Sequence, residues 1–387
     1  MHERPSEPSP MTVERYRIAI VGAGLAGLTA SHLLRQHGVH DHLVLEARPR
    51  WGGRILTTPV NDTQPQQFDL GPTWFWPSMQ PAFGQFLHDL DLPRFAQHED
   101  GLTVLERPGQ PPQHLRGYSQ AEPSMRLAGS MAALVDRLAA DLPPAQLRLG
   151  HRVQALEVME GGVVVMGNDI SSIENSPAPE VPPRPLCMAD QVLLALPPRL
   201  VAHHLRFDPP LPPTLQRAWQ ATGTWMAPHA KYLAVYERPF WRAQGLSGAA
   251  RSGRGPMVEV HDASLPDGGA ALFGFIGVSA QSRTRVSDAT LLALCRAQLV
   301  RLFGPQAAAL QAEHLKDWAQ DPFTATAADL EEPPEHRPAP PAGAPEGAWR
   351  SRILGIGSEW SPQFPGYLAG AVDAASRGVQ ALLGRRL

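Results

Sequence analysis

The sequence predicts an α/β fold with a Rossmann-like domain and a second, α+β domain. Three observations carry this. Residues 18–46 run apolar strand, glycine cluster, helix, apolar strand and acid, the order of a nucleotide-binding βαβ unit. Strand-like runs dominate two later regions, 147–196 and 231–277. The chain of 387 residues is long enough for one large or two ordinary domains with a substantial core.

The first strand, Ile18 to Val21, runs into Gly22-Ala23-Gly24-Leu25-Ala26-Gly27. Such glycines allow a tight turn, close approach of backbone to a pyrophosphate and close helix–strand packing. The spacing predicts a helix from Leu28 to His37, whose N-terminus offers free N–H groups and a positive dipole end to phosphates. A second strand, Leu43 to Leu45, ends on Glu46, about where a carboxylate accepts hydrogen bonds from an adenosine ribose. Glycines and acid alone do not separate NAD from FAD. The next residues, Arg48-Pro49-Arg50-Trp51-Gly52-Gly53-Arg54, favour FAD. Their two glycines let the backbone lie against a second ligand surface, and Arg54 offers a planar fork to phosphate.

Further along, Phe83 to Leu90 has the spacing of a short amphipathic helix and Leu102 to Glu106 reads as a strand. Residues 127–138 are predicted helical, with Met131, Leu134, Val135 and Leu138 forming a core stripe. Leu147 to Leu149, Val153, Val163 to Val165 and Ala189 to Leu196 read as strands. So do Lys231 to Tyr236 and Leu272 to Gly277, before an amphipathic helix, Asp288 to Phe303. Many of the 41 prolines cluster at Ser176 to Pro185 and Pro333 to Pro345, which read as surface loops. A proline-docking ligand segment is a second reading of these clusters.

Lys231 stands out because period-two alternation puts it on one strand face with Leu233 and Val235. A lysine there is either functional or at a strand end pointing into solvent. No Ser-His-Asp, Cys-His or metal-ligand spacing is legible, and two cysteines, Cys187 and Cys295, are too few for a disulfide framework. A net charge of −3 points to neither nucleic acid nor an anionic membrane as partner. There is no apolar run long enough to span a bilayer, and the opening MHERPSEPSP has no signal-peptide core. A cytoplasmic protein with a disordered tail over residues 1–15 is expected. Nothing specifies an oligomeric state.

The E-A-R-x-R-x-G-G-R pattern ending at Arg54 resembles the flavin-containing amine oxidase family. The resemblance extends through Asp69-Leu70-Gly71-Pro72-Thr73-Trp74, the Met131 helix, Ala189 to Pro197, Lys231 with Phe240-Trp241, and Gly357-Ser358-Glu359 with Pro365-Gly366-Tyr367-Leu368. It implies a Rossmann-like FAD-binding domain (16–75, 125–200 and 350–387) and an interleaved α+β substrate domain (76–124 and 201–349). It also implies cofactor contacts at Gly22, Gly24, Ala26, Gly27, Glu46, Arg48, Gly53, Arg54, Gly71, Trp74, Val153, Glu359 and Leu368. In the family the lysine at Lys231 holds a water near flavin N5, and the aromatic at Tyr367 lines the amine pocket. A second pocket ring normally follows a tryptophan resembling Trp318 by about ten residues, where this chain has Ala328; Ala327 stands where some monoamine oxidases carry a flavin-linking cysteine. FAD is therefore expected to be non-covalent and the pocket wider, with Trp318, Phe323 or Trp360 as candidate replacement rings.

The implied reaction is hydride transfer from an amine to flavin, with imine hydrolysis and reoxidation by dioxygen to hydrogen peroxide. Two other readings use the same motifs: a desaturase or isomerase of an apolar substrate, and a flavin-binding partner protein without turnover.

Overall fold

The structure is a computed structural model in which residues 13–59, 66–117, 122–170, 182–331 and 338–384 are described. Two large sheets and a two-stranded one, Arg94–Ala96 with Met125–Leu127, carry these residues. In the first, strand β1 (Arg15–Val21) leads through helix α1 (Leu25–Gln36) to strand β2 (His42–Leu45), parallel to β1 with Ile18 opposite His42 and Val21 opposite Leu45. On its other side β1 pairs in parallel with β3 (Arg184–Leu194). β3 is long enough for two partners on its far edge. Its first half is antiparallel to Gly162–Asp169, and its last residues are parallel to Ile353–Gly355. Thus the C-terminal segment does return to the first sheet.

Period-two alternation sends Ile18 and Ile20 to one face of β1 and Ala19 and Val21 to the other, and both faces are buried. That is why these strands read as unbroken apolar runs. Helix α1, the Ala132–Ala140 helix and helix α2 (Leu368–Leu383) cover one face. Trp219, Trp349 and Trp360 pack on the other.

The second sheet has the order Ala312–Asp317, β4 (Ala230–Tyr236), β5 (Ala270–Ile276), Met257–Asp262, Leu246–Ser252, Leu102–Glu106, Gln113–Arg116. β4 lies between two antiparallel neighbours, with Lys231 opposite Phe275 and Lys316. Its Ala230, Tyr232, Ala234 and Tyr236 face the Asp288–Phe303 helix cluster. Leu233 and Val235 pack on the other face with Phe68, Leu70 and Phe273.

Several predicted limits shift. Helix α1 opens three residues earlier than predicted because the glycine cluster itself supplies the first turn: Gly24 is the extended N-cap and Leu28 N–H already bonds to Gly24 O at 3.0 Å. Leu127, predicted helical, closes a short strand, Met125–Leu127. Positive φ at Gly129 and Ser130 delays the helix to Ala132. Arg15 belongs to β1 rather than to a tail, and residues 1–12 lie outside the described residues, as do most of the first proline cluster and residues 333–337. Among the described residues no helix is long and apolar enough to cross a membrane, and no group of three or more His, Cys, Asp or Glu is placed to hold a metal.

Candidate active site

One cavity of about 400 Å³ lies at the carboxyl ends of β1, β2 and β3 and continues to the start of β4. Crevices at such strand ends are where open α/β sheets bind ligands. Gly22, Gly24 and Ala26 line it, with Glu46 and Arg48 following β2 and Val153 beside them. The Glu46 carboxylate is buried and held by main chain, accepting from Ala23 N–H at 2.8 Å and Arg48 N–H at 2.9 Å. Gly27 does not line the cavity. A Cβ there would lie 1.9 Å from Gly22 O, so this glycine allows helix and loop to touch.

The G-G-R loop docks on the glycine cluster through a bridge between Gly24 and Gly52, with Gly52 N–H donating to Ala23 O at 2.8 Å. Gly53 has φ +58°, and a Cβ on it would approach Gly24 Cα to 3.2 Å. The two predicted loops therefore form one continuous wall. Arg54 lines the cavity, while Glu359 sits buried behind it and is absent from the lining. Glu359 accepts two Arg54 bonds, at 2.6 and 3.0 Å, and one from Ser358 Oγ at 2.9 Å. Burial pushes its pKa up, but Arg54 and Ser358 outweigh burial and hold it below the usual carboxylate range. Glu359 thus orients Arg54 in this structure rather than facing the ligand space itself.

Gly71, Thr73 and Trp74 carry the wall toward β4. Lys231 is buried, so the solvent-facing alternative does not hold. Its Nζ donates to Thr73 Oγ1 at 2.6 Å and Gly71 O at 3.1 Å and lies 4.0 Å from the Phe273 ring centre. Burial lowers its pKa, against the opposing pull of the Asp69 charge. Burial likewise pushes Asp69 up; its carboxylate accepts from Met131 N–H at 2.8 Å. Sequence reasoning missed Asp69 and Thr73 as partners, although both flank Gly71 in the quoted segment.

Tyr367 caps the N-terminus of α2 and lines the cavity with Leu368. Its ring meets Trp225 at 6.3 Å and Trp76 at 6.4 Å, and both tryptophans line the same space. These rings were not predicted. Trp225 follows a helix with no strand or motif to flag it, and only the fold brings it to Tyr367. Trp318 also lines the cavity, its indole N–H donating to Leu70 O at 3.2 Å. The other two candidate rings lie elsewhere: Phe323 lines the end of the cavity beside Arg48 and Arg152, and Trp360 packs at 5.6 Å against Trp219 in the core. Ala327 and Ala328 are exposed in the short helix Ala327–Glu331 and are absent from the cavity wall. The ring missing at Ala328 therefore does not by itself widen the pocket.

This cradle fits FAD. The N-termini of α1 and α2 both line it, and neither has a side-chain cap or an acid in its first turn. His204 and His229 line it as well, and among the described residues the buried His204 Nε2 and His229 Nδ1 atoms have no hydrogen-bond partner.

Comparisons with known proteins agree with this geometry. Residues 109–383 match the Flavin containing amine oxidoreductase family, and residues 20–90 match the NAD(P)-binding Rossmann-like domain. The chain is 26% identical to the Mycobacterium tuberculosis protein named flavin-containing monoamine oxidase AofH, covering 95% of this chain and 96% of that protein. It is 22% identical to an L-amino acid dehydrogenase of Synechocystis, with 94% of each covered. Among solved structures, putrescine oxidase bound to putrescine superposes with a TM-score of 0.75 at 20% identity, over 96% of this chain and 99% of that one. Cyclohexylamine oxidase from Brevibacterium oxydans gives 0.75 at 19% identity, over 95% and 99%.

Proposed function

This chain belongs to the flavin-containing amine oxidase family and is a flavin-dependent oxidoreductase, and from that premise we propose that it oxidises an amine with non-covalently bound FAD. The observation that carries the reading is that Lys231 and Tyr367 line the same cavity as the glycine loops. Glu46 would hold the adenosine ribose, the α1 N-terminus the pyrophosphate, Val153 the adenine, and Arg54, Gly53, Gly71, Trp74 and Leu368 the remainder. Non-covalent binding is supported by Cys187 and Cys295, both free and neither in the lining. We further propose that the chain divides between an FAD-binding and a substrate part largely as its two large sheets do, with strand Arg206–Asp208 joining the first sheet and the Arg94–Ala96 pairing with Met125–Leu127 as exceptions.

When bound, FAD supplies the two-electron acceptor, so that amine, water and dioxygen become aldehyde or ketone, ammonia and hydrogen peroxide. Lys231, its charge disfavoured by burial, would anchor a water and exchange its proton. Tyr367, Trp225 and Trp76 would orient the amine, with Trp318 on a neighbouring part of the wall. Glu46 is the only acid among the described lining residues, and it is already bonded to main chain. A second ammonium, or a protonated reacting amine, would lack a counter-charge there. That favours a neutral amine on an apolar body, closer to what cyclohexylamine oxidase is named for than to a diamine.

Anaerobic mixing of the yellow protein with a panel of amines tests this. Apolar primary amines are expected to bleach the flavin well ahead of diamines and amino acids. A flavin-loaded protein that no amine bleaches would overturn the amine reading, and a protein that cannot be loaded with FAD would overturn the cofactor.

A further inference from the structure

We propose that residues 321–324, on the segment leaving the second sheet, are part of the FAD site and clamp its adenosine end through Arg48 and Arg152. This rests on the FAD reading above. The segment starts at Trp318, beside the Lys231 end, and reaches the opposite end of the cavity, where Phe323 and Thr324 line the wall with Glu46, Arg48 and Arg152.

The contacts are those of a built site. Asp321 accepts from Arg48 Nη2 at 2.6 Å and from Lys316 Nζ at 3.0 Å, with the Arg48 and Asp321 side chains only 12% and 9% exposed. Arg48 also donates to Thr324 Oγ1 at 3.3 Å. The Phe323 ring has the Arg48 guanidinium 5.2 Å and the Arg152 guanidinium 5.8 Å from its centre, within cation–π range of both. Asp321 also shapes the turn that presents the ring. Its carboxylate accepts from Phe323 N–H at 3.0 Å and its carbonyl from Thr324 N–H at 2.9 Å.

Arg48 is therefore fixed between Asp321 and the backbone that carries Glu46, the carboxylate assigned to the ribose. A planar guanidinium held in this way has little freedom left to lose when a ligand binds beside it. Losing Asp321 frees Arg48 and unfastens the turn, so the adenosine end should loosen while the flavin end keeps its own wall.

The test uses Asp321→Asn, with Phe323→Leu as a second variant that leaves the ion pair intact. FAD release from the holoprotein is followed by the rise in flavin fluorescence after dilution, and apoprotein is titrated with FAD and with FMN, which lacks the adenosine half. Both variants are expected to release FAD about ten-fold faster and to bind it correspondingly more weakly, with FMN binding unchanged. Unchanged FAD release, or an equal loss for FMN, would overturn the clamp. A wild-type protein that binds no FAD would instead overturn the cofactor reading.

Discussion

Lys231 combines three conditions: burial, an aromatic face 4.0 Å from its charge, and oxygen partners at Thr73 and Gly71. Burial disfavours the ammonium, so the side chain loses its proton at a lower pH than a free lysine, below its ordinary 10.5. If the neutral amine serves the reaction, flavin reduction by a good amine should quicken as pH rises through that lowered value. Lys231→Met should slow reduction by roughly 10²-fold and lose this limb, while FAD content stays unchanged. Stopped-flow absorbance over a pH series reads both. A variant with the wild-type rate and profile would remove Lys231 from the chemistry.

At the scale of elements, the turn from β1 into α1 separates two uses of glycine. A Cβ at Gly27 would collide with Gly22 O, so Gly27→Ala should destabilise the protein by ~1–3 kcal/mol even without cofactor. A Cβ at Gly24 would meet nothing closer than 3.9 Å, and its φ of −73° suits alanine. Gly24→Ala should therefore leave the apoprotein within about 0.5 kcal/mol of wild type and weaken FAD binding. Thermal melts of both apoproteins and FAD titration distinguish the roles. Equal destabilisation of the two would mean that Gly24 also serves packing.

Across the whole molecule, charged pairs join segments far apart in sequence. Arg54 is tied to Glu359, Arg48 to Asp321, and the buried Arg199 to Asp329, which also accepts from Thr224 N–H beside Trp225. Glu359 and Asp321 are both held below their ordinary values, in each case by neighbouring cations that outweigh burial. A carboxylate with a depressed folded pKa stabilises fully above its unfolded value, about pH 4 to 5, and loses that stabilisation as pH falls through the folded value. The melting temperature should thus be nearly flat with respect to these groups near neutrality and drop in acid. Glu359→Gln should cost ~2 kcal/mol at neutral pH and make the acid drop shallower. Calorimetry from neutral to acid pH checks both, and an acid drop as steep as wild type would exclude Glu359 as a contributor.

What local spacing encodes is readable from the residues alone. The βαβ unit ending on Glu46, the second glycine loop, the lysine on an apolar strand face and the Asp288–Phe303 helix are all legible there. Each follows from backbone periodicity or from glycine stereochemistry over a few residues. The packing of distant segments settles which rings meet Tyr367, that Glu359 stands behind Arg54, and that the stretch after Trp318 leads Phe323 to Arg48 and Arg152. Trp76, Trp225 and Tyr367 come from three separate segments, and no short-range pattern records their contact. Their meeting depends on how the two sheets pack, which is set by long-range burial rather than by the neighbours of any one residue.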